Sequence, residues 1–279
     1  MKKIIYLLIL SLVFCLGACN SEKLNFGKKL VKAQSMTDIL TELKAKTSDV
    51  GIMDSIMAGY YLASDNSFKD SLMVIDGLTF EEEEYGIACR KEGAYTAAVI
   101  SNTIVELTSE GKVLEIATKY GLENEIITTN QKIDLTNVSG KEDYDYIVGK
   151  GKLVIGYTLF APIAYMDGNE LIGFDIDLAK AVGEKLGVTV EFQKINWDSK
   201  EFELSSKNID CIWNGMTITD ERKESMSITI PYMKNKQVAV IRIEDKDKYK
   251  TTGDMKNAII VVESGSAGQD IVTKWVLLK

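Results

Sequence analysis

The run Asn214-Gly-Met-Thr-Ile-Thr-Asp-Glu-Arg222 gathers groups suited to holding a small charged molecule. The guanidinium of Arg222 can form a two-pronged fork with a carboxylate. Gly215 lets the backbone approach a ligand closely, and the Thr217 hydroxyl can donate or accept a hydrogen bond. Phe160 and Trp197 supply aromatic walls for a water-poor slot around a side chain. A zwitterion needs this chemistry: a fixed cation and N–H groups for its carboxylate, a carboxylate and lone pairs for its ammonium. Other chemistries drop out, because the 279 residues include no histidine. That excludes Ser-His-Asp and Cys-His nucleophile systems, His-ligated zinc and an imidazole base. A balance of 33 Lys+Arg against 41 Asp+Glu, net −8, argues against nucleic acid as a partner, since phosphate binding needs a basic face.

The elements that position these residues read as α/β. Short β-branched runs alternate with amphipathic stretches, the pattern of helices layered on largely parallel sheets, in which ligands bind at the carboxyl ends of strands. Strands are expected at 29–33, 49–54, 72–75, 85–90, 152–157, 188–194, 210–214, 227–232, 237–243 and 258–262. Helices are expected at 35–46, opened by the Ser35-Met-Thr-Asp38 cap, and at 55–63, 94–108, 112–120, 174–186, 200–205 and from Ser266 onward. The run Glu81–Glu84 reads as a solvated turn without calcium-loop spacing. Residues 123–150 are polar and irregular and read as a linker of low order. A hydrophobic content of 46 % is ample for one large domain or two lobes.

Residues 1–18 carry Lys2 and Lys3, an uncharged apolar stretch from Ile4 to Leu16 and small residues before Cys19, which reads as an export signal. Leu16-Gly-Ala-Cys19 resembles the bacterial lipobox. That resemblance implies cleavage before Cys19 and a diacylglycerol on its thiol, holding the protein at a membrane surface without a spanning helix. Cys89 and Cys211 are then the cysteines of the folded body. Their count leaves a disulfide and two buried thiols both open, and their apolar strand contexts favour buried thiols.

Residues 152–222 closely resemble the first lobe of the extracytoplasmic solute-binding proteins of family 3, the polar amino-acid receptors of ABC importers. The pieces are a strand ending in a Pro-aromatic loop, the Gly-Phe-Asp-Ile-Asp-Leu helix start, Trp197 and the Asn214–Arg222 string. The resemblance implies that Arg222, Thr217 and the backbone of Gly215 bind the α-carboxylate or α-amino group. By the same likeness Phe160 and Trp197 wall the site, and Tyr157 and Asn214 tune side-chain specificity. Residues 258–272 resemble the opening of the second lobe, where Ser266 and Ala267 sit at a helix start that meets the ligand carboxylate. Glu263 there stands where relatives have lysine or another residue, and it is expected to bear on specificity if it faces the cleft. Residues 29–62 resemble the later part of that lobe, and Asp54 matches the carboxylate that pairs with the ligand ammonium; the rival reading of Asp54 is a helix cap. Residues 85–120 resemble the return hinge strand and two closing helices.

The likeness implies a periplasmic-binding-protein type 2-like α/β fold, two lobes joined by two hinge strands, with its segments in permuted order. The expected division is signal peptide 1–18, remainder of lobe 2 at 24–84, return strand and closing helices at 85–122 and linker at 123–150. Lobe 1 comes next at 151–236, then a hinge strand at 237–250 and the beginning of lobe 2 at 251–279. A circular permutant and a fragment of a tandem receptor both fit this order, and the permutant is favoured. The family implies a monomeric binding protein, not an enzyme, with no cofactor or metal. It captures a free amino acid at the outer face of the membrane and passes it to ABC permease subunits. A ligand-sensing surface receptor is the rival reading.

Overall fold

The computed structural model describes residues 24–64 and 67–274; the signal at 1–18, Cys19 and the last residues of the expected terminal helix lie outside them. The first elements are β1 Lys29–Ala33, α1 Met36–Lys44, β2 Val50–Asp54, α2 Ser55–Ser64, β3 Leu72–Cys89, α3 Ala94–Ser109, α4 Lys112–Lys119 and α5 Lys141–Gly149. Next come β4 Lys152–Tyr157, β5 Tyr165–Asp167, β6 Glu170–Ile172, α6 Phe174–Leu186, β7 Thr189–Lys194 and α7 Lys200–Ser205. The last are β8 Cys211–Thr217, α8 Asp220–Ser225, β9 Ser227–Ile228, β10 Met233–Arg242, β11 Ile259–Glu263 and α9 Ala267–Thr273.

Local chemistry accounts for the boundaries. Ser35 accepts from the Asp38 N–H to open α1, whose Met36, Ile39, Leu40 and Leu43 form the buried stripe. Gly187 ends α6 in the left-handed conformation. Strands β2 and β8 are buried at every position, as sheet interiors covered on both faces are.

One nine-stranded sheet runs β1-β11-β2-β10-β3-β8-β4-β7, with β9 beside β3. The two ends of the chain build one lobe together: β1 pairs parallel with β11, Ala33 opposite Glu263, and β11 pairs parallel with β2. The middle of the chain builds the other, with β4 parallel to both β7 and β8. Strands β3 and β10 run antiparallel from Met233 opposite Tyr85 to Arg242 opposite Leu72 and join the lobes. Register shifts flank Val238 in this pair, where the ribbon leaves one lobe for the other.

Two expectations need correction. The strands at 72–75 and 85–90 are one 18-residue strand, so Glu81–Glu84 is no solvated turn; Glu83 is buried within β3. Alternation explains it, since Glu83 shares a strand face with buried Tyr85 while Glu82 and Glu84 face the other way. Residues 123–150 are also not a linker of low order. Ile126 bridges to Met233, the Asn102 side chain bonds both backbone groups of Ile133, and α5 packs on α3. Its buried Asp143 accepts from Arg90 Nε at 2.5 Å and from Thr96 at 2.9 Å, and Arg90 also reaches Asp210 at 3.2 Å. A buried guanidinium held by two carboxylates fixes this segment to the sheet. Cys89 and Cys211 lie opposite each other on β3 and β8, both free and buried, and burial pushes both thiols well above their usual pKa.

Candidate functional site

Between the lobes lies a narrow cleft with little free space in this closed arrangement. The middle lobe contributes Phe160, Trp197, Asn214, Gly215, Thr217 and Arg222; the lobe of the chain ends contributes Asp54, Met36, Glu263, Ser266 and Ala267. Tyr157 stays outside, packed edge-on against Phe192 at 6.2 Å, and its neighbour Thr158 lines the cleft instead.

Arg222 sits in the first turn of α8, which Thr219 caps by accepting from the Arg222 N–H at 3.1 Å. Its Nη1 donates to the Thr217 carbonyl at 2.7 Å, which pins the guanidinium over the cleft. Burial lowers its pKa, and the carboxylates of Asp270, Glu83 and Asp54 oppose that shift. Asp54 ends β2. Its Oδ1 accepts from Tyr85 Oη at 2.8 Å, from Gln237 Nε2 at 2.9 Å and from Asn235 Nδ2. These hinge-strand donors take the place of the helix cap, and among the described residues no hydrogen bond reaches Oδ2. Burial, and then the nearby Glu83, push the Asp54 carboxyl up to about 8. An ammonium at Oδ2 would restore its charge.

Glu83 is the functional candidate that sequence reasoning missed. Its Oε2 accepts from Thr217 Oγ1 at 3.1 Å, Asn235 Nδ2 at 2.8 Å and Gln237 Nε2 at 3.0 Å. The same two amides therefore bridge Glu83 and Asp54. The Thr217 hydroxyl proton is committed to Glu83, so its oxygen is left as an acceptor. The only signal in the sequence is the spacing of Glu83 two residues before Tyr85 in an unbroken strand.

The remaining residues have defined tasks. Gly215 has φ +60°, and a Cβ there would lie 2.6 Å from the Phe160 ring. Its N–H donates to buried Asp175 at 2.8 Å, which leaves its carbonyl as the group able to meet a ligand. Tyr232 also donates to Asp175, whose carboxyl burial pushes up to about 7. Phe160 stands edge-on to Tyr85 at 6.4 Å, and Trp197 carries the Lys200 ammonium 4.9 Å from its ring. Asn214 donates to Thr158 at 2.8 Å, while its Oδ1 is buried without a partner among the described residues. The Ser266 hydroxyl donates to the Glu263 carbonyl and caps α9, so it is not a free donor; the Ala267 N–H, in the first turn, has no carbonyl within its own helix. Glu263 ends β11 with 4 % of its surface exposed. No cluster of acidic or cysteine side chains that could hold a metal occurs among the described residues, and none of their helices is long and apolar enough to cross a membrane.

Two α/β lobes, two joining strands and a cleft with a fixed cation and a carboxylate on opposite walls define a type 2 periplasmic binding fold. Residues 153–276 match the model of the bacterial extracellular solute-binding proteins, family 3. The chain is 38 % identical over 104 residues to ABC transporter arginine-binding protein 1 of Escherichia coli, covering 37 % of this chain and 42 % of that protein. It is 32 % identical over 124 residues to the arginine-binding extracellular protein ArtP of Bacillus subtilis, covering 44 % and 48 %. Among solved structures, arginine-bound domain 1 of TmArgBP, a Phe57Trp mutant in its own numbering, shares 36 % identity over 37 % of this chain and 87 % of that one, with a TM-score of 0.32. A histidine-bound ABC substrate-binding protein from Streptococcus pneumoniae shares 42 % identity over 31 % and 36 %, with a TM-score of 0.30. The chain thus spans less than half the length of the curated relatives it matches.

Proposed function

We propose that this chain is the substrate-binding lipoprotein of an amino-acid ABC importer. It captures a free amino acid in the interlobe cleft, closes on it by hinge motion at β3 and β10, and presents it to the permease subunits. On this reading it is a monomer anchored through Cys19 at the outer face of the membrane, and its segments build the two lobes in permuted order. Support for the order comes from β1 and β11, which come from opposite ends of the chain and pair in a single lobe.

The observation that carries the proposal is the pairing of charges on the two cleft walls. Arg222 offers a buried fork to a carboxylate, and Asp54 Oδ2 faces the same slot as an acceptor for an ammonium. Thr217 Oγ1 and the Gly215 carbonyl add lone pairs, and the Ala267 N–H adds a donor. A ligand touching both walls stabilises the closed form by its differential contacts. The relatives named above, which bind arginine or histidine, agree with a free amino acid as the ligand.

Thermal unfolding of the purified chain against the standard amino acids tests this. A rise in melting temperature with one chemical group of amino acids is expected. No rise with any of them contradicts it.

A further inference from the structure

Resting on the reading of the cleft as an amino-acid site, we infer that Glu263 selects the side chain, so that the ligand is an amino acid whose side chain ends in a cation. The other buried acids each have at least one carboxylate oxygen held from within the chain, although Glu83 Oε1, Asp175 Oδ1 and Asp54 Oδ2 have no partner among the described residues. Asp54 accepts three hydrogen bonds, Glu83 three, and Asp175 two. Asp143 and Asp210 hold Arg90, and Lys150 adds a second cation at Asp210. Glu263 is as buried as these, yet among the described residues no hydrogen bond or ion pair reaches its carboxylate, and it faces the cleft.

Charge counting then fixes what it awaits. A zwitterion bound by Arg222 and Asp54 is neutral with its partners and leaves Glu263 without a counter-ion. A buried carboxylate alone is costly. The groups facing Glu263 do not supply the pairing: Asp54 and Asp38 are like charges, and the Lys200 ammonium is attractive but donates to the carbonyls of Gly265 and Trp197. Burial accordingly raises the Glu263 carboxyl to about 8. Asn214 Oδ1, buried without a partner among the described residues, is likewise an acceptor. Glu263 and Asn214 both line the cleft, and two unpartnered acceptors there call for a group that donates. A guanidinium or ammonium does so, whereas a carboxylate or an aliphatic chain does not. Trp197 and Phe160 suit such a group, because aromatic faces attract cations.

Isothermal titration calorimetry at about pH 8 separates the outcomes. Wild type and Glu263→Gln are titrated with L-arginine and L-lysine and with their uncharged counterparts L-citrulline and L-norleucine. Wild type is expected to bind arginine or lysine at least about tenfold more tightly than the uncharged counterpart, and Glu263→Gln to lose that preference. Equal binding of charged and uncharged ligands by wild type overturns the inference and leaves amino-acid capture standing, and this arm needs no variant to fold. A preference that survives Glu263→Gln also overturns it. Binding of no amino acid at all removes the inference together with the reading on which it rests.

Discussion

The ammonium of Lys200 donates to the carbonyl of Gly265 at 3.0 Å, and the two residues belong to opposite lobes. Around this bond Glu221 pairs with Lys274, Arg222 Nη2 reaches the Gly265 carbonyl at 3.5 Å, and Asn196 donates to Gln34 at 3.3 Å, each across the cleft. A Cβ on Gly265 would stand 2.9 Å from Asp198 Oδ1. The lobes are therefore closed on each other, and Lys200 is a latch.

Removing that latch shortens the life of the closed form. A charged hydrogen bond of this kind contributes roughly 1.5–3 kcal/mol. Lys200→Met is expected to speed ligand release by about tenfold or more, with association little changed. Stopped-flow fluorescence of the cleft tryptophan Trp197 measures both rates. An unchanged release rate argues against the latch.

Arg90 tests the packing of the segment at 141–149. Arg90→Leu leaves Asp143 and Asp210 buried with their main cation gone, and breaking such a group costs about 3–5 kcal/mol. Urea unfolding should show that loss. A change below about 1 kcal/mol would mean that α5 is not anchored through Asp143.

Gly215 is the position where backbone and cleft constrain each other. With φ +60° and the rings of Phe160 and Tyr85 at 2.6 and 3.1 Å from a Cβ, Gly215→Ala meets both backbone strain and a clash. Strain alone costs about 1–3 kcal/mol. The variant is expected to melt lower and to bind ligand more weakly as Phe160 is pushed into the slot. Wild-type affinity in Gly215→Ala contradicts that placement of Phe160.

The buried carboxyls give the ligand-free protein an unusual pH profile. Asp54 and Glu263 are raised to about 8 and Asp175 to about 7, above their unfolded values of 3.8, 4.5 and 3.8. The folded state therefore keeps protons that the unfolded state has already released. Their contribution to stability is fully present below about pH 4 and is lost as the pH rises through 7 to 8. Urea unfolding without ligand should give a stability lower by at least about 2 kcal/mol at pH 8 than at pH 5. A stability that rises over that interval contradicts the burial of these acids.

Much of this was legible in the sequence where one segment carried the whole signal. The Asn214–Arg222 string holds its own strand end, glycine and arginine, and the cap at Ser35 sits beside the helix it opens. Legibility failed where the deciding contact is distant. Glu83 stands in a run of four glutamates and is told from its neighbours only by the face it shares with Tyr85, which pairing with β8 and β10 buries. Tyr157 and Thr158 differ by one residue, and in a strand one residue exchanges the cleft side for the core side. Residues 123–150 look unstructured by composition because two buried side chains, Asp143 and Ile147, suffice to dock α5.

The proposed function turns on one ligand held between Arg222 of one lobe and Asp54 of the other. Isothermal titration calorimetry of wild type, Asp54→Ala and Arg222→Ala with the amino acid that most raises the melting temperature tests it most directly. One tight site is expected in wild type, and a loss of at least about a hundredfold in each variant. Affinity near that of wild type in either variant, with its fold intact, would contradict it.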